Sequence, residues 1–232
     1  TVIDDPATDA YLPAQTLTFS ITGGADAPKF AINATTGIVT FVTSPDFEAP
    51  TDAGANNVYD LQVTASDGAL SVAQSIAVTV TAVNDNTPVI TSAATANFAE
   101  NATGTILTVQ ATDADLPAQT LTYSISGGVD AAKFAINSTT GALTFVTSPN
   151  FEAPTDVGAN NVYNVQVTAS DGANSTNQAL AITVTAVNDN LPVITSSATT
   201  SFGENGTGTV IDVNATDADL PGDTLTFSIS FF

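Results

Sequence analysis

The side chains of this chain that could do chemistry are almost all oxygen donors. The 232 residues include 23 Asp and Glu, only 2 Lys and Arg, and neither His nor Cys. Without imidazole or thiol, the usual nucleophile–base pairs and nitrogen or sulfur metal sites cannot be built. The remaining carboxylates, amides and carbonyls are hard ligands, which suit calcium.

Many of these oxygen donors recur at a fixed spacing. The segment Ala82–Pro88 (AVNDNTP) returns as Ala186–Pro192 (AVNDNLP), 104 residues later, and the flanking sequence aligns at the same offset without a gap. A unit of this length is long enough to bury its own core. The recurrence therefore predicts domain-sized modules joined by acidic, amide-rich linkers.

Composition excludes several classes of function. A net charge of −21 and a pI near 4.1 leave no basic surface for nucleic acid, and they argue against docking on an anionic membrane. At 11% charged and 43% hydrophobic residues, the chain is not a disordered acidic tail. There is no apolar run of ~18 residues, so we expect no membrane insertion in this segment. The absence of Cys favours a bacterial cell surface over a disulfide-rich animal ectodomain.

The elements that would position the acidic residues are β-strands. Apolar and polar residues alternate in four segments of the complete repeat, and this period of two predicts strands with one buried face. Gly, Asn and Asp between them predict turns. The four segments are 105–110, 121–125, 162–168 and 180–185.

Seven short strands in about 100 residues predict an all-β fold of tandem Greek-key β-sandwiches with immunoglobulin-like architecture. We expect repeat 1 at residues 1–88 without its first strand, a complete repeat 2 at 89–192, and the start of repeat 3 at 193–232. Thr1 aligns with Thr105, inside a repeat, so both ends look cut from a longer protein.

Several motifs in the repeat resemble those of cadherins. Phe134–Gly141 is similar to the cadherin signature Phe-x-Ile-Asp-x-x-Thr-Gly. Five further segments resemble other cadherin motifs in the family's order: Phe98–Asn101, Ala111–Asp115, Asn150–Glu152, Thr168–Gly172 and Asn84–Pro88. The resemblance covers essentially the whole chain. Its Ala-, Thr-, Asn- and Asp-rich text looks most like the cadherin-like repeats of large bacterial surface adhesins.

The resemblance implies calcium as the only cofactor, held at the junctions between repeats, with two or three ions at each. For the first junction, the implied ligands are Asp46, Glu48, Asn84, Asp85, Asn86, Asp113, Asp115 and Asp171. For the second, they are Glu100, Asn150, Glu152, Asn188, Asp189, Asn190, Asp217 and Asp219. Without metal, carboxylates ~4 Å apart repel by about 1 kcal/mol in water and up to ~4 kcal/mol at an effective dielectric of 20. We therefore expect the rigidity of the junctions to depend on calcium.

The acids of repeat 2 test whether these residues merely solvate the surface. Six of its eight acids fall on the implied ligand positions, whereas Asp130 and Asp156 do not. Scattered solvation would not concentrate them in this way. Asp156 is interpreted as a turn former.

The sequence thus predicts a non-enzymatic, calcium-rigidified module of an extracellular adhesin or filament on a bacterial cell surface, acting in adhesion or as a spacer. Its expected partners are calcium and neighbouring repeats, with other copies of the chain or surface glycans as further candidates. Two alternatives remain: a carbohydrate-binding accessory module, and a subunit of a polymer formed by strand exchange between copies. A glycan site needs an exposed aromatic platform, but the chain has no Trp, and Tyr59, Tyr123 and Tyr163 lie in patterns that predict burial.

Overall fold

The computed structural model describes residues 16–219 and 224–230, and within them the fold is all β, as the sequence predicts. The chain divides into two compact units. Of the described residues, unit 1 holds 16–86 and 114–119, and unit 2 holds 87–113, 120–219 and 224–230. Throughout the described residues, no helix has the length and apolar character needed to cross a membrane.

Unit 1 contains one three-stranded sheet and one hairpin. The antiparallel sheet has the order β1-β4-β5, and β2 pairs with β3. Its core gathers Phe30, Val39, Tyr59, Leu61 and Val63. The strands are β1 (Thr18–Gly23), β2 (Phe30–Ile32), β3 (Val39–Phe41), β4 (Val58–Ser66) and β5 (Ser71–Thr79), and a 3₁₀ helix spans Ala27–Lys29.

Unit 2 contains a β-sandwich and two small ladders. One sheet has the order β10-β13-β14-β7, in which β7 runs parallel to β14, and the other has the order β11-β12-β8. The short pairs are β6-β9 and β15-β16, and a 3₁₀ helix spans Ala131–Lys133. The strands are β6 (Val89–Ile90), β7 (Thr95–Ala99), β8 (Thr105–Thr108), β9 (Ala111–Thr112), β10 (Thr122–Gly127), β11 (Phe134–Ile136), β12 (Ala142–Phe145), β13 (Val162–Ser170), β14 (Ser175–Thr185), β15 (Val193–Ile194) and β16 (Ala215–Thr216).

The predicted alternation of apolar and polar residues becomes an alternation of burial. Along β13, Tyr163, Val165 and Val167 are at most 1% exposed, whereas Asn164 between them is exposed. Leu143 of the opposite sheet is fully buried in the same cluster. The four strands predicted in repeat 2 are all present, and those ending at 170 and 185 are longer than the sequence pattern indicated. Tyr59 and Tyr163 are buried, as predicted, whereas Tyr123 is only half-buried.

The turns between strands rest on side-chain caps. Asn137 Oδ1 accepts hydrogen bonds from the backbone N–H groups of Thr139 at 3.0 Å and Thr140 at 2.9 Å. The turn closes at Gly141, whose φ is +73° and where a Cβ would lie 2.2 Å from the carbonyl oxygen of Val109. Only glycine fits this combination of left-handed backbone and close approach. Asn33 caps the equivalent turn of unit 1 in the same way.

Candidate metal centres

One loop in each unit carries a predicted ligand pair beside the linker. In unit 1, the loop from β3 to β4 holds Asp46 and Glu48, and in unit 2 the loop from β12 to β13 holds Asn150 and Glu152. The linkers follow β5 and β14, whose pairing with β4 and β13 fixes where each linker leaves its sheet. Sheet pairing thus brings loop and linker residues together.

Three carboxylates meet in unit 1. Oxygens of Glu48, Asp85 and Asp115 all lie within 4.8 Å of one another. Glu48 is half-buried and Asp85 is exposed, whereas Asp115 is only 1% exposed. Glu48 Oε1 also accepts the backbone N–H of Leu116 at 3.1 Å, which ties the loop to the segment that carries Asp115.

The linker of unit 1 wraps the buried Asp115 carboxylate. The backbone N–H of Asn86 lies 3.2 Å from both Asp115 oxygens, and its side-chain Nδ2 donates to Oδ1 at 2.7 Å. Asn86 was predicted as an oxygen ligand, yet its amide nitrogen faces the carboxylate. Asp46, Glu48, Asp85 and Asn86 line one polar cavity of about 400 Å³. Four of the predicted ligands therefore line one oxygen-rich cavity.

A second group of three carboxylates lies in unit 2. Oxygens of Glu100, Glu152 and Asp189 lie within 4.8 Å of one another, and Glu100 is 2% exposed. Glu100 is held on both sides, because its Oε2 accepts Phe151 N at 2.8 Å and its Oε1 accepts Val187 N at 2.7 Å. Its position is therefore fixed before any ion binds.

Among the carboxylates of the two centres, that of Glu152 has the surroundings best suited to binding a cation. Both of its oxygens are buried, and neither has a hydrogen-bond partner among the described residues. Burial raises the pKa of Glu152, and the neighbouring Glu100 and Asp219 carboxylates raise it further. A buried, unpartnered carboxylate facing two others is costly without a counter-charge. A bound divalent cation would remove that cost, and all the donors here are the oxygens that calcium prefers.

In unit 2, the linker donates hydrogen bonds to a carboxylate as the linker of unit 1 does. Asn190 donates its backbone N–H to Asp219 Oδ2 and its Nδ2 to Oδ1, both at 2.9 Å. The Asn190 side-chain amide is the main cause that lowers the pKa of Asp219. Asp217 Oδ1 accepts the backbone N–H of Asp219 at 3.1 Å, so the Asp-x-Asp segment is folded on itself.

Three other predicted ligands take part in local turns. Asp46 Oδ1 accepts the N–H groups of Glu48 and Ala49, and Asn150 Oδ1 accepts that of Ala153 at 2.7 Å. Asp171 Oδ1 accepts two backbone N–H groups of its own turn, those of Ala173 and Asn174. Asp171 also lies beside another predicted ligand, since carboxylate oxygens of Asp113 and Asp171 approach within 4.8 Å. The remaining predicted ligands, Asn84 and Asn188, belong to the two linkers.

The sequence did not single out Asn101 as a site residue, yet its side-chain amide donates a hydrogen bond to Asp189 Oδ2. Asn101 has a φ of +57°, in the left-handed region that Asn tolerates better than most residues. The Glu100-Asn101 pair was visible in the sequence. Its contact with a residue 88 positions later was not.

Comparisons with known proteins agree with this architecture. Residues 94–187 match the Cadherin domain family, so the middle of the chain contains a cadherin domain. Protocadherin Fat 1 of Homo sapiens is 32% identical over 217 residues, which cover 88% of this chain but 4% of that protein. Halomucin of Haloquadratum walsbyi is 38% identical over 76 residues, 32% of this chain and 1% of that protein.

A solved structure also resembles the chain. Drosophila N-cadherin EC1-4 superposes with a TM-score of 0.59 at 26% identity, covering 79% of this chain and 44% of that one. The chain therefore spans only a small part of the curated relatives that it matches, and less than half of this solved neighbour.

Proposed function

We propose that the chain is a calcium-binding, calcium-rigidified repeat module of an extracellular adhesin or filament on a bacterial cell surface, serving adhesion or acting as a spacer. The observation that carries this proposal is the Glu152 carboxylate, buried without a donor beside Glu100 and Asp189. In this interpretation, calcium is bound by the acids and linker residues named above, and the repeats are non-enzymatic. The repeat boundaries at residues 88 and 192 remain part of the proposal.

Calcium would supply a charge that turns repulsion into attraction. In each unit, the loop glutamate, the linker aspartate and a buried acid come from segments far apart in sequence. In unit 1, an ion bound to all three would connect the loop, the linker and the Asp-x-Asp segment. In unit 2, it would connect the loop, the linker and the end of β7. The linker would then lose freedom relative to its sheet, which is the physical basis for rigidity.

A calcium titration of the 232-residue chain tests the proposal. We expect calorimetry to detect calcium binding, and scattering to show a more extended chain in calcium than in EDTA. At a free calcium concentration of 100 times Kd, each site adds about 2.7 kcal/mol to the free energy of unfolding. A melting temperature and scattering profile unchanged by EDTA would refute the proposal.

The substitution Asp85→Asn tests the ligand assignment with a charge-matched control. Asp60→Asn also removes one negative charge, but Asp60 is exposed on β4, and repeat 2 already has Asn164 at this position. We expect Asp85→Asn to weaken calcium binding at least about tenfold, or about 1.4 kcal/mol, and Asp60→Asn to leave it nearly unchanged. Equal effects would show that Asp85 acts only through net charge.

A further inference from the structure

Unit 2 contains two buried aspartates that lie outside the metal centre. Asp130 is 2% exposed and Asp156 is 6% exposed. Asp130 Oδ1 accepts Val157 N and Oδ2 accepts Asn164 N, both at 2.8 Å, so one carboxylate staples the loop to β13. Although Asp130 precedes the 3₁₀ helix Ala131–Lys133, its side chain does not cap that helix. The carboxylate is used instead to hold the loop that carries Glu152.

Asp156 shapes the end of the same loop. Its Oδ2 accepts Asn160 N and its Oδ1 accepts Asn161 N, both at 3.0 Å. These bonds hold Asn161 at a φ of +62°. The sequence interpretation of Asp156 as a turn former agrees with this geometry. The turn has a further effect, because it aims the Asn161 side chain back across the loop.

The amide of Asn161 grips the residue before the metal-facing glutamate. Its Nδ2 donates to the carbonyl of Phe151 at 2.9 Å, while the N–H of Phe151 donates to Glu100 Oε2 at 2.8 Å. Phe151 is therefore held from one side by an acid of the metal centre and from the other by Asn161. Asn161 thus holds the carbonyl of the peptide that joins Phe151 to Glu152, and Glu100 holds the N–H of the preceding peptide.

Asn161 makes this bond at an energetic cost. The side chain is 8% exposed, and its Oδ1 is buried without a hydrogen-bond partner among the described residues. A buried carbonyl that loses water and gains no donor destabilises a fold. The Asn161 side chain therefore acts through its Nδ2 donor, which binds the Phe151 carbonyl.

Unit 1 repeats the arrangement with the same geometry. Asp26 accepts Ala53 N and Asp60 N at 2.7 and 2.8 Å, and Asp52 Oδ1 accepts Asn57 N at 3.0 Å. Asn57 also has a φ of +62°, and its Nδ2 donates to the Phe47 carbonyl at 2.9 Å. Its Oδ1 is likewise buried and unpartnered within the described part of the chain.

We propose that Asn161 and Asn57 are positioning residues for the two metal centres, each fixing the carbonyl of the phenylalanine that precedes the metal-facing glutamate. In unit 2, the buried carboxylates of Asp130 and Asp156 orient the Asn161 amide. In unit 1, those of Asp26 and Asp52 orient the Asn57 amide. Calcium affinity then depends on a hydrogen bond from a residue that does not reach the ion. The inference rests on the proposed calcium sites and deepens them.

The substitution Asn161→Gly tests this role. Glycine accepts a φ of +62° without strain, so the change removes the amide while leaving the backbone in place. Ala159→Gly is the matched control, because Ala159 lies in the same loop with a φ of +46° and is exposed. Calcium Kd by titration calorimetry and the melting temperature in EDTA are measured for both variants. Asn57→Gly repeats the test independently in unit 1.

We expect Asn161→Gly to raise the calcium Kd about 10-fold or more relative to Ala159→Gly, as found when outer-shell partners of metal ligands are removed. In EDTA the two variants should melt at similar temperatures. If both asparagine variants keep a Kd within about twofold of the control, or lose metal-free stability without losing affinity, the positioning role is overturned. If the wild-type chain binds no calcium, the proposed function fails and this inference fails with it.

Discussion

Glu48 and Glu152 occupy equivalent positions in the two loops but face different surroundings. Glu48 accepts a backbone hydrogen bond from Leu116 and lies near Asp85 and Asp115. Glu152 accepts no hydrogen bond among the described residues and faces the buried Glu100. The same loop scaffold therefore serves two centres whose electrostatics differ.

The difference comes from residues outside the loop. Glu100, which follows β7, lies beside Glu152 in unit 2, whereas in unit 1 the backbone N–H of Leu116 donates to Glu48. In unit 2, the glutamate is consequently destabilised as an anion, whereas in unit 1 a backbone donor satisfies it. The loop therefore sets where the glutamate lies, and neighbouring segments set how strongly its carboxylate needs a cation.

The largest expected effect concerns calcium itself. Glu152→Gln and Glu48→Gln each remove one ligand charge, and we expect calcium affinity to fall at least about tenfold, or about 1.4 kcal/mol, in both. The fall should be greater for Glu152→Gln, because Glu152 has no protein donor to compensate. Calcium titration of the two variants measures this. A larger loss for Glu48→Gln would reverse the comparison.

In the metal-free protein, we expect Glu152→Gln to raise the melting temperature and Glu48→Gln not to raise it. Glu152→Gln removes a repulsion between close carboxylates of about 1 kcal/mol or more, so we expect its melting temperature in EDTA to rise by roughly 2–4 °C. Glu48→Gln weakens a hydrogen bond and should leave the melting temperature unchanged or lower it. Scanning calorimetry in EDTA measures both. If the two variants shift in the same direction by the same amount, the electrostatic contrast does not exist.

The smallest expected effect is on pH dependence. The pKa of Glu152 is raised above its ordinary value of 4.5. A carboxyl with a raised folded-state pKa destabilises the fold at high pH, and this penalty is relieved as the pH falls through the folded pKa. In EDTA, we expect the melting temperature to rise as the pH falls from 7 towards 5. Glu152→Gln should flatten this rise, and an unaltered slope in that variant would rule out Glu152 as its source.

At still lower pH, the melting temperature should instead decrease as the pH falls. Backbone and side-chain hydrogen bonds lower the pKa of Asp52, Asp67 and Asp219 below the ordinary value of 3.8. Their stabilising contribution is present above that value and is lost as the pH falls through the lowered pKa. Stability of the metal-free chain should therefore pass through a maximum in mildly acidic solution.

Much of the fold could be predicted from the sequence because it depends on local order. The alternation in residues 162–168 predicts the strand observed at Val162–Ser170, since successive side chains of a strand point to opposite faces. The Asn137–Gly141 turn and the Asp156 turn follow from side chains that bond backbone two to five residues away. These interactions need no information from distant parts of the chain.

The sequence by itself determined the repeat, the strands and the type of ligand atom available. Only the tertiary structure decided which acids are buried and which oxygens lack a donor. Glu100 meets Phe151, Val187 and Asp189, all more than 50 residues later, because β14 lies between β13 and β7 in one sheet. Burial and electrostatic strain arise from such long-range contacts, and they leave no periodic signal in the sequence.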